Sequence, residues 1–182
     1  AQGKIAQHRE MVNREVKKWA ASLLKIAGVT VEVEGLENIP PDQPVLFISN
    51  HQGNFDIPIL LAHLNTPHAL LAKVETQKIP LIRTWMRHLE CVFVDRENPR
   101  QAVASIHQAV EVLQSGRSMI IFPEGTRSKG EQVGEFKAGS FKIATKAKVP
   151  LVPVVMDGSY KVMEGNKMWI RPAHVRVKVL SP

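Results

Sequence analysis

The sequence predicts an α/β domain with a mixed, mostly parallel sheet covered by helices, and three observations carry that expectation. Short apolar runs at residues 45–48, 69–72, 91–94, 118–122 and 149–156 are bounded by polar or turn residues, as strands buried on both faces are. Between them lie stretches with apolar residues at helical spacing, so strand and helix alternate along the chain. The composition, 44% hydrophobic and 23% charged over 182 residues, is that of a globular chain long enough for a proper core.

Residues 4–27 read as an amphipathic helix. Val12, Val16, Trp19, Leu23 and Ile26 form one apolar stripe, Arg14, Lys17, Lys18 and Lys25 surround it, and Gly28 stops it. Such a stripe docks on the rest of the protein or, with basic flanks and Trp19, lies on a membrane surface. Residues 29–34 alternate with period two, a strand with one wet face. Pro44 opens the run at 45–48, and a helical stretch follows over residues 57–64. The strand at 69–72 ends at Lys73, Pro80 opens a helix over residues 79–89, and the strand at 91–94 delivers Asp95 and Arg96. Asn98 caps a helix whose Ala102, Ile106, Ala109 and Leu113 share a face, stopped by Ser115-Gly116. The strand at 118–122 leads into a polar, glycine-bearing loop, and a helix is expected over residues 137–148. Pro150 and Pro153 place the ends or a bulge of the strand at 149–156, and the tail over residues 167–180 reads as two antiparallel strands around Pro172-Ala173.

The net charge of +7, from 24 basic and 17 acidic residues, suits anionic partners: a membrane surface, nucleic acid, phosphorylated substrates or an acidic carrier protein. Aromatics at 5% argue against a base-stacking nucleic-acid module. The single Cys91 forms no internal disulfide and fits a reducing compartment. No apolar run is long enough to span a bilayer.

The chemistry concentrates in Asn50-His51-Gln52-Gly53-Asn54-Phe55-Asp56, between a buried strand and a helix. In a turn rich in glycine and asparagine, a histidine and an aspartate five residues apart can meet, which regular helical spacing would prevent. An aspartate on one imidazole nitrogen fixes the tautomer and stabilises the imidazolium, leaving the other nitrogen as a general base. The structural alternative is that Asp56 is an N-cap and His51 an ordinary strand-end histidine. The remaining strand ends weigh against that, because they bring Lys73, Arg96, Glu124 and Arg127 to the same rim. Paired arginine forks match phosphate oxygens, Gly125 lets the backbone approach an anion, and Thr126 and Ser128 add hydroxyls. Glu124 is expected to bind a substrate hydroxyl or to position an arginine. The seven histidines lack metal spacing, residues 134–140 lack the phosphate-loop lysine, and no serine sits in a glycine-flanked elbow. Direct attack by a deprotonated acceptor is therefore the economical mechanism.

On these residues the chain resembles the bacterial branch of the glycerolipid acyltransferases, the 1-acylglycerol-3-phosphate acyltransferases. His51 to Asp56 looks like that family's first motif, Phe93-Val94-Asp95-Arg96 its second, Phe122-Pro123-Glu124-Gly125-Thr126-Arg127-Ser128 its third, and Val149-Pro150-Leu151-Val152-Pro153-Val154 its fourth. Two departures stand out: Glu90 replaces a glycine before the second motif, and Gly53 replaces a serine common two residues after the histidine. The resemblance implies transfer of an acyl chain from acyl-CoA or acyl carrier protein to the sn-2 hydroxyl of lysophosphatidate. It implies a membrane-associated helical segment over residues 1–28 and a catalytic domain over residues 29–182, at the cytoplasmic face of the cell membrane.

The expected catalytic residues are His51 and Asp56, and the expected substrate-binding residues are Asn50, Lys73, Arg96, Glu124, Gly125, Thr126 and Arg127. Backbone N–H groups of the histidine turn and Lys73 are candidate oxyanion donors. This chemistry calls for no metal or redox cofactor, the acyl thioester being a co-substrate. The expected partners are lysophosphatidate, the thioester donor and an anionic membrane, with no nucleic acid. Another lysolipid acceptor, such as a lyso-ornithine lipid, a hydrolase using water, and a non-catalytic lipid-binding module are the competing readings.

Overall fold

A computed structural model describes residues 2–64, 68–95 and 97–182. The described chain runs α1 (Gln2–Ile26), β1 (Val29–Glu34), β2 (Leu46–Ser49), α2 (Asp56–His63), β3 (His68–Lys73), α3 (Pro80–His88), β4 (Val92–Val94), α4 (Pro99–Gln114), β5 (Ser118–Ile121), α5 (Phe141–Ala147), β6 (Leu151–Asp157) and β7 (Ala173–Val179). The strands form one sheet in the order β1-β7-β6-β2-β5-β3-β4, and every pairing is parallel except β6 with β7. That is the mixed, mostly parallel sheet expected from the alternating apolar runs.

The pleat splits each central strand between two cores. Val45 and Phe47 point to the side of α1 and α2, joining Val12, Ala20, Ile59 and Leu60. Leu46 and Ile48 point to the other side, with Leu113, Met119 and Ile143 from α4, β5 and α5. β2 is thus buried on both faces and between β5 and β6, the most constrained place from which to hang a site.

Three local expectations are corrected. The buried stripe of α1 is Val12, Val16, Ala20 and Leu24, an i, i+4 row, while Trp19 and Ile26 face out. Small Ala20, fully buried, suits the close packing of α1 on α2, which fixes the helix phase. The tail holds one strand rather than two: β7 fills the place between β6 and β1, and the loop before it, residues 158–172, packs beside the histidine turn. The helix expected over residues 137–148 is a 3-10 turn, Ala138–Ser140, followed by the shorter α5, with left-handed Lys148 ending it. Among the described residues no helix is long and apolar enough to cross a membrane.

Candidate active site

The residues after β2 are tied down mainly through their backbone. Asn50 is buried, its amide clamping Met156 of β6 in both directions: Nδ2 donates to the Met156 carbonyl at 2.9 Å and Oδ1 accepts its N–H at 2.7 Å. Across the turn, the N–H groups of Ser128 and Lys129 donate to the carbonyls of His51 and Gln52 at 2.8 and 3.0 Å. The His51 N–H donates to Glu124 Oε1 at 2.7 Å, and Oε2 of the same carboxylate accepts the Gly134 N–H at 2.7 Å. The loop after β5 is therefore laced to the turn after β2, side by side as the sheet order dictates.

His51 and Asp56 meet. His51 Nδ1 lies 2.6 Å from Asp56 Oδ2, the same oxygen accepts the N–H groups of Gln52 and Gly53 at 2.7 and 3.0 Å, and Oδ1 accepts the Ser159 hydroxyl. Asp56 has no exposed surface, so a bare carboxylate would be several kcal/mol uphill. These donors, and its place in the first turn of α2, offset that cost. Asp56 is thus inside the helix rather than its cap, which is Phe55. With Nδ1 turned to the carboxylate, Nε2 is left without a partner among the described residues, the arrangement of a general base. The ring stacks on Phe122, centroids 4.0 Å apart at 19°, which fixes its plane.

Gly53 is explained by Glu164. A Cβ at residue 53 would lie 2.4 Å from Glu164 Oε2, so a side chain there would displace a carboxylate whose own side chain is 2% exposed. Glu164 accepts the Asn54 N–H at 2.8 Å and lies 3.6 Å from the Arg127 guanidinium, which also donates to the Asn54 side chain. Arg127 is held in place yet is partly exposed, at the rim beside the base.

The other expected residues divide. Gly125 adopts φ +76, a left-handed turn closed by its N–H on the Phe122 carbonyl, which is why glycine suits this position. Thr126 is exposed on the wall of a cavity of about 550 Å³ that Glu124, Ser128, Gly134 and Lys137 also line. Among the described residues Glu124 makes no bond to an arginine; its two oxygens accept the backbone N–H groups of His51 and Gly134. Asn50 is likewise turned inward to β6 rather than to a substrate. Lys73 pairs with Glu75 at 2.7 Å, and no bond joins it to the His51 cluster. Arg96 lies outside the described residues. The backbone N–H groups expected to serve an oxyanion are occupied: His51 by Glu124, Gln52 and Gly53 by Asp56, Asn54 by Glu164. Burial pushes the Cys91 thiol up to about 12, so it offers no thiolate near neutral pH. A larger cavity of about 920 Å³ lies at the opposite edge of the sheet, under the start of β3 and β5, out of reach of His51.

Sequence reasoning missed four contributors: Gln52, Phe122, Ser159 and Glu164. Gln52 Oε1 accepts the N–H groups of Gly158 and Ser159 at 2.9 and 3.2 Å, binding the post-β6 loop to the turn. Only Gly158 (φ +94) marked that loop as a tight turn, and nothing local announced its partners.

An acyltransferase family model matches residues 30–157. The chain is 38% identical to a probable 1-acyl-sn-glycerol-3-phosphate acyltransferase of Mycoplasma pneumoniae, over 85% of this chain and 59% of that protein. It is 34% identical to a chloroplastic 1-acyl-sn-glycerol-3-phosphate acyltransferase of Arabidopsis thaliana, over 96% and 49%. The crystal structure of PlsC, the 1-acyl-sn-glycerophosphate acyltransferase of Thermotoga maritima, superposes with a TM-score of 0.85 at 36% identity, covering 96% of this chain and 69% of that one. The chain spans about half to three-fifths of the length of these curated relatives. With the family model over most of the chain and a base of this geometry inside it, the chain belongs to the acyltransferase family.

Proposed function

We propose that this chain moves an acyl group from acyl-CoA or acyl carrier protein to the sn-2 hydroxyl of lysophosphatidate, giving phosphatidate. The observation that carries the reading is the His51–Asp56 pair at the strand rim, with Nε2 without a partner among the described residues. The relatives' names specify the acceptor. Nε2 takes the hydroxyl proton as that oxygen attacks the thioester carbon. The resulting imidazolium, held by Asp56, returns a proton to the departing thiolate as the C–S bond breaks. General-base help of this kind contributes on the order of a hundred- to ten-thousand-fold. Because the N–H groups of residues 51–54 are engaged, the oxyanion draws its donors from the facing loop. There the N–H groups of Thr126 and Arg127 make no hydrogen bond within the described residues.

Arg127, braced by Asn54 and Glu164, holds the acceptor phosphate, and Arg96 is the second proposed phosphate ligand. The reaction needs no metal or redox cofactor, and the protein works at the cytoplasmic face of the cell membrane. The test is transfer from a labelled thioester to a panel of lysolipids. Lysophosphatidate should be the preferred acceptor, and His51→Ala should remove nearly all transfer while the fold survives. Folded His51→Ala protein that keeps wild-type turnover would overturn the mechanism. A preference for a lysolipid without a phosphomonoester would overturn the acceptor.

A further inference from the structure

The strand directions place two exposed apolar patches on the edge that carries His51. β6 runs parallel to β2, so Asp157 ends on the same edge as Ser49. β7 is antiparallel to β6, and β1 is parallel to β7, so both begin there. The residues just before those starts therefore stand on the His51 edge. They are Ile26, 85% exposed, and Met168, Trp169 and Ile170, of which Trp169 is 76% exposed. The two segments adjoin, because a Cβ on Gly28 would come within 2.9 Å of Pro172.

The loop is held in this shape. The N–H groups of Met168, Trp169 and Arg171 are bonded to carbonyls of Met163, Asn166 and Val162, and Lys167 and Met168 both have positive φ. Its first half reaches the active site, where Glu164 accepts the Asn54 N–H. Lys25, Lys167 and Arg171 flank the patch, exposed and in no ion pair among the described residues.

The second patch opens α3. β3 is parallel to β5 and β2, so the turn after Lys73 puts Ile79, Leu81 and Ile82 on the same edge. No residue of α3 is buried, and Lys78, Arg83 and Arg87 accompany the apolar ones. Between the two patches lie β6, β2 and β5, a separation of about 20 Å at the usual strand spacing, with the histidine turn in the gap. Apolar residues beside basic ones that form no ion pair among the described residues, on the edge where a lipid must enter, match an anionic bilayer.

We propose that this edge docks on an anionic membrane, with Trp169 and Ile170 inserted on one side of the site and Leu81 and Ile82 on the other. Docking so places His51 at the head-group level. The proposal rests on the acyl-transfer reading only for what the surface delivers. It differs from α1 lying flat on the membrane, since Trp19 stands about 10 Å down the helix from Ile26.

Three single-tryptophan proteins test it: one keeps Trp169, one keeps Trp19, and one carries Leu81→Trp, all other tryptophans being phenylalanine. Each is mixed with phosphatidylcholine–phosphatidylglycerol vesicles bearing brominated acyl chains. Fluorescence should be quenched at residues 169 and 81 and not at 19. Omitting phosphatidylglycerol should weaken binding about a hundredfold or more, since three of the six basic residues at roughly a factor of five each already give that. Trp169→Gln with Ile170→Ser should lower turnover of bilayer-embedded lysophosphatidate and leave a water-soluble short-chain acceptor unaffected.

Quenching at residue 19 without 169, or no quenching at 169, overturns the proposal. So does lipid-free self-association that shields Trp169, which would give the surface to a second copy of the chain. Absence of transfer to either acceptor by the wild-type protein would instead sink the functional reading, while the quenching pattern would still decide the surface.

Discussion

Glu124 offers the sharpest separation between holding the base and holding the substrate. It is 6% exposed, and its two oxygens accept the His51 and Gly134 N–H groups at 2.7 Å each. Glu124→Ala removes both acceptors and leaves the N–H at the strand end that carries the base without a partner. A charge-assisted bond lost at a buried site costs about 1.5–3 kcal/mol, which is about ten- to a hundredfold or more if it falls on the transition state. If the role of Glu124 is to position His51 through this bond, the loss should appear in kcat, with the acceptor KM nearly unchanged. Glu124→Gln should be milder, about tenfold. Its remaining oxygen can stay on the His51 N–H while the exposed loop around Gly134 lets go. The assay is steady-state transfer with lysophosphatidate and with monoacylglycerol, alongside circular dichroism and thermal unfolding as folding controls. Both acceptors should slow by the same factor. If Glu124→Ala instead raised KM for lysophosphatidate alone, Glu124 would be a head-group ligand and the reasoning from its two bonds would fail.

Asp56→Asn should lower transfer by up to about ten-thousand-fold, no more than His51→Ala does, and unlike His51→Ala should also lower unfolding stability by about 3–5 kcal/mol, because an amide cannot accept all the donors now on the carboxylate; unchanged denaturant stability would contradict this. Arg127→Ala should raise the lysophosphatidate KM by about tenfold or more, with Arg127→Lys recovering part of it and monoacylglycerol barely affected, as measured across the acceptor panel. For Glu90, burial alone would push the carboxyl up, but the Arg9 hydrogen bonds and the charges of Arg117, Arg9 and His8 bring it below its ordinary 4.5. Its stabilisation is therefore complete above that value and lost as pH falls through the lower folded one, so Glu90→Gln should flatten the acid limb of a stability–pH curve. The side chain is 32% exposed, so the effect should be about 1 kcal/mol or less, and an unchanged acid limb would refute it.

The sheet was legible because its strands are apolar on both faces, a pattern that needs no partner information to recognise. The His51–Asp56 pair was legible for a different reason: both residues lie in one short turn, so sequence distance and spatial distance agree. Where the two distances part, the sequence was silent. Ser159 reaches Asp56 across 103 positions, and Glu164 reaches Asn54 across 110. Their loop shows no periodicity, and its job is fixed by the topology that brings β6 beside β2. The phase of α1 failed more subtly. Trp19 and Ile26 extend an apolar stripe as well as Ala20 and Leu24 do, and only the surface of α2 decides between the rows. Glu124 and Asn50 were expected to meet substrate, and their backbone partners were not legible, because a polar side chain at a strand end does not say whether it faces a ligand or a neighbouring strand's backbone.

Those backbone bonds bear on how the site divides its labour. Each N–H from His51 to Asn54 is bound to an acidic side chain: Glu124, Asp56 and Glu164. Three carboxylates around one turn, each buried or nearly so, would repel one another and destabilise the fold if they served only themselves. Backbone donors, the Ser159 hydroxyl and Arg127 engage them, with only Glu164 Oε2 lacking a partner among the described residues, and in return they hold the turn in place. The turn is consequently rigid and turns its N–H groups inward, which suits a base that must keep its direction and does not suit a group that must meet a growing negative charge. The proposed source of oxyanion donors is therefore the facing loop, where the Thr126 and Arg127 N–H groups after the Gly125 turn make no hydrogen bond among the described residues. Substitutions in residues 50–53 and at Asp56 should accordingly act through the placement or basicity of His51, and those at Asn54 and in residues 125–127 through the acceptor and the developing charge.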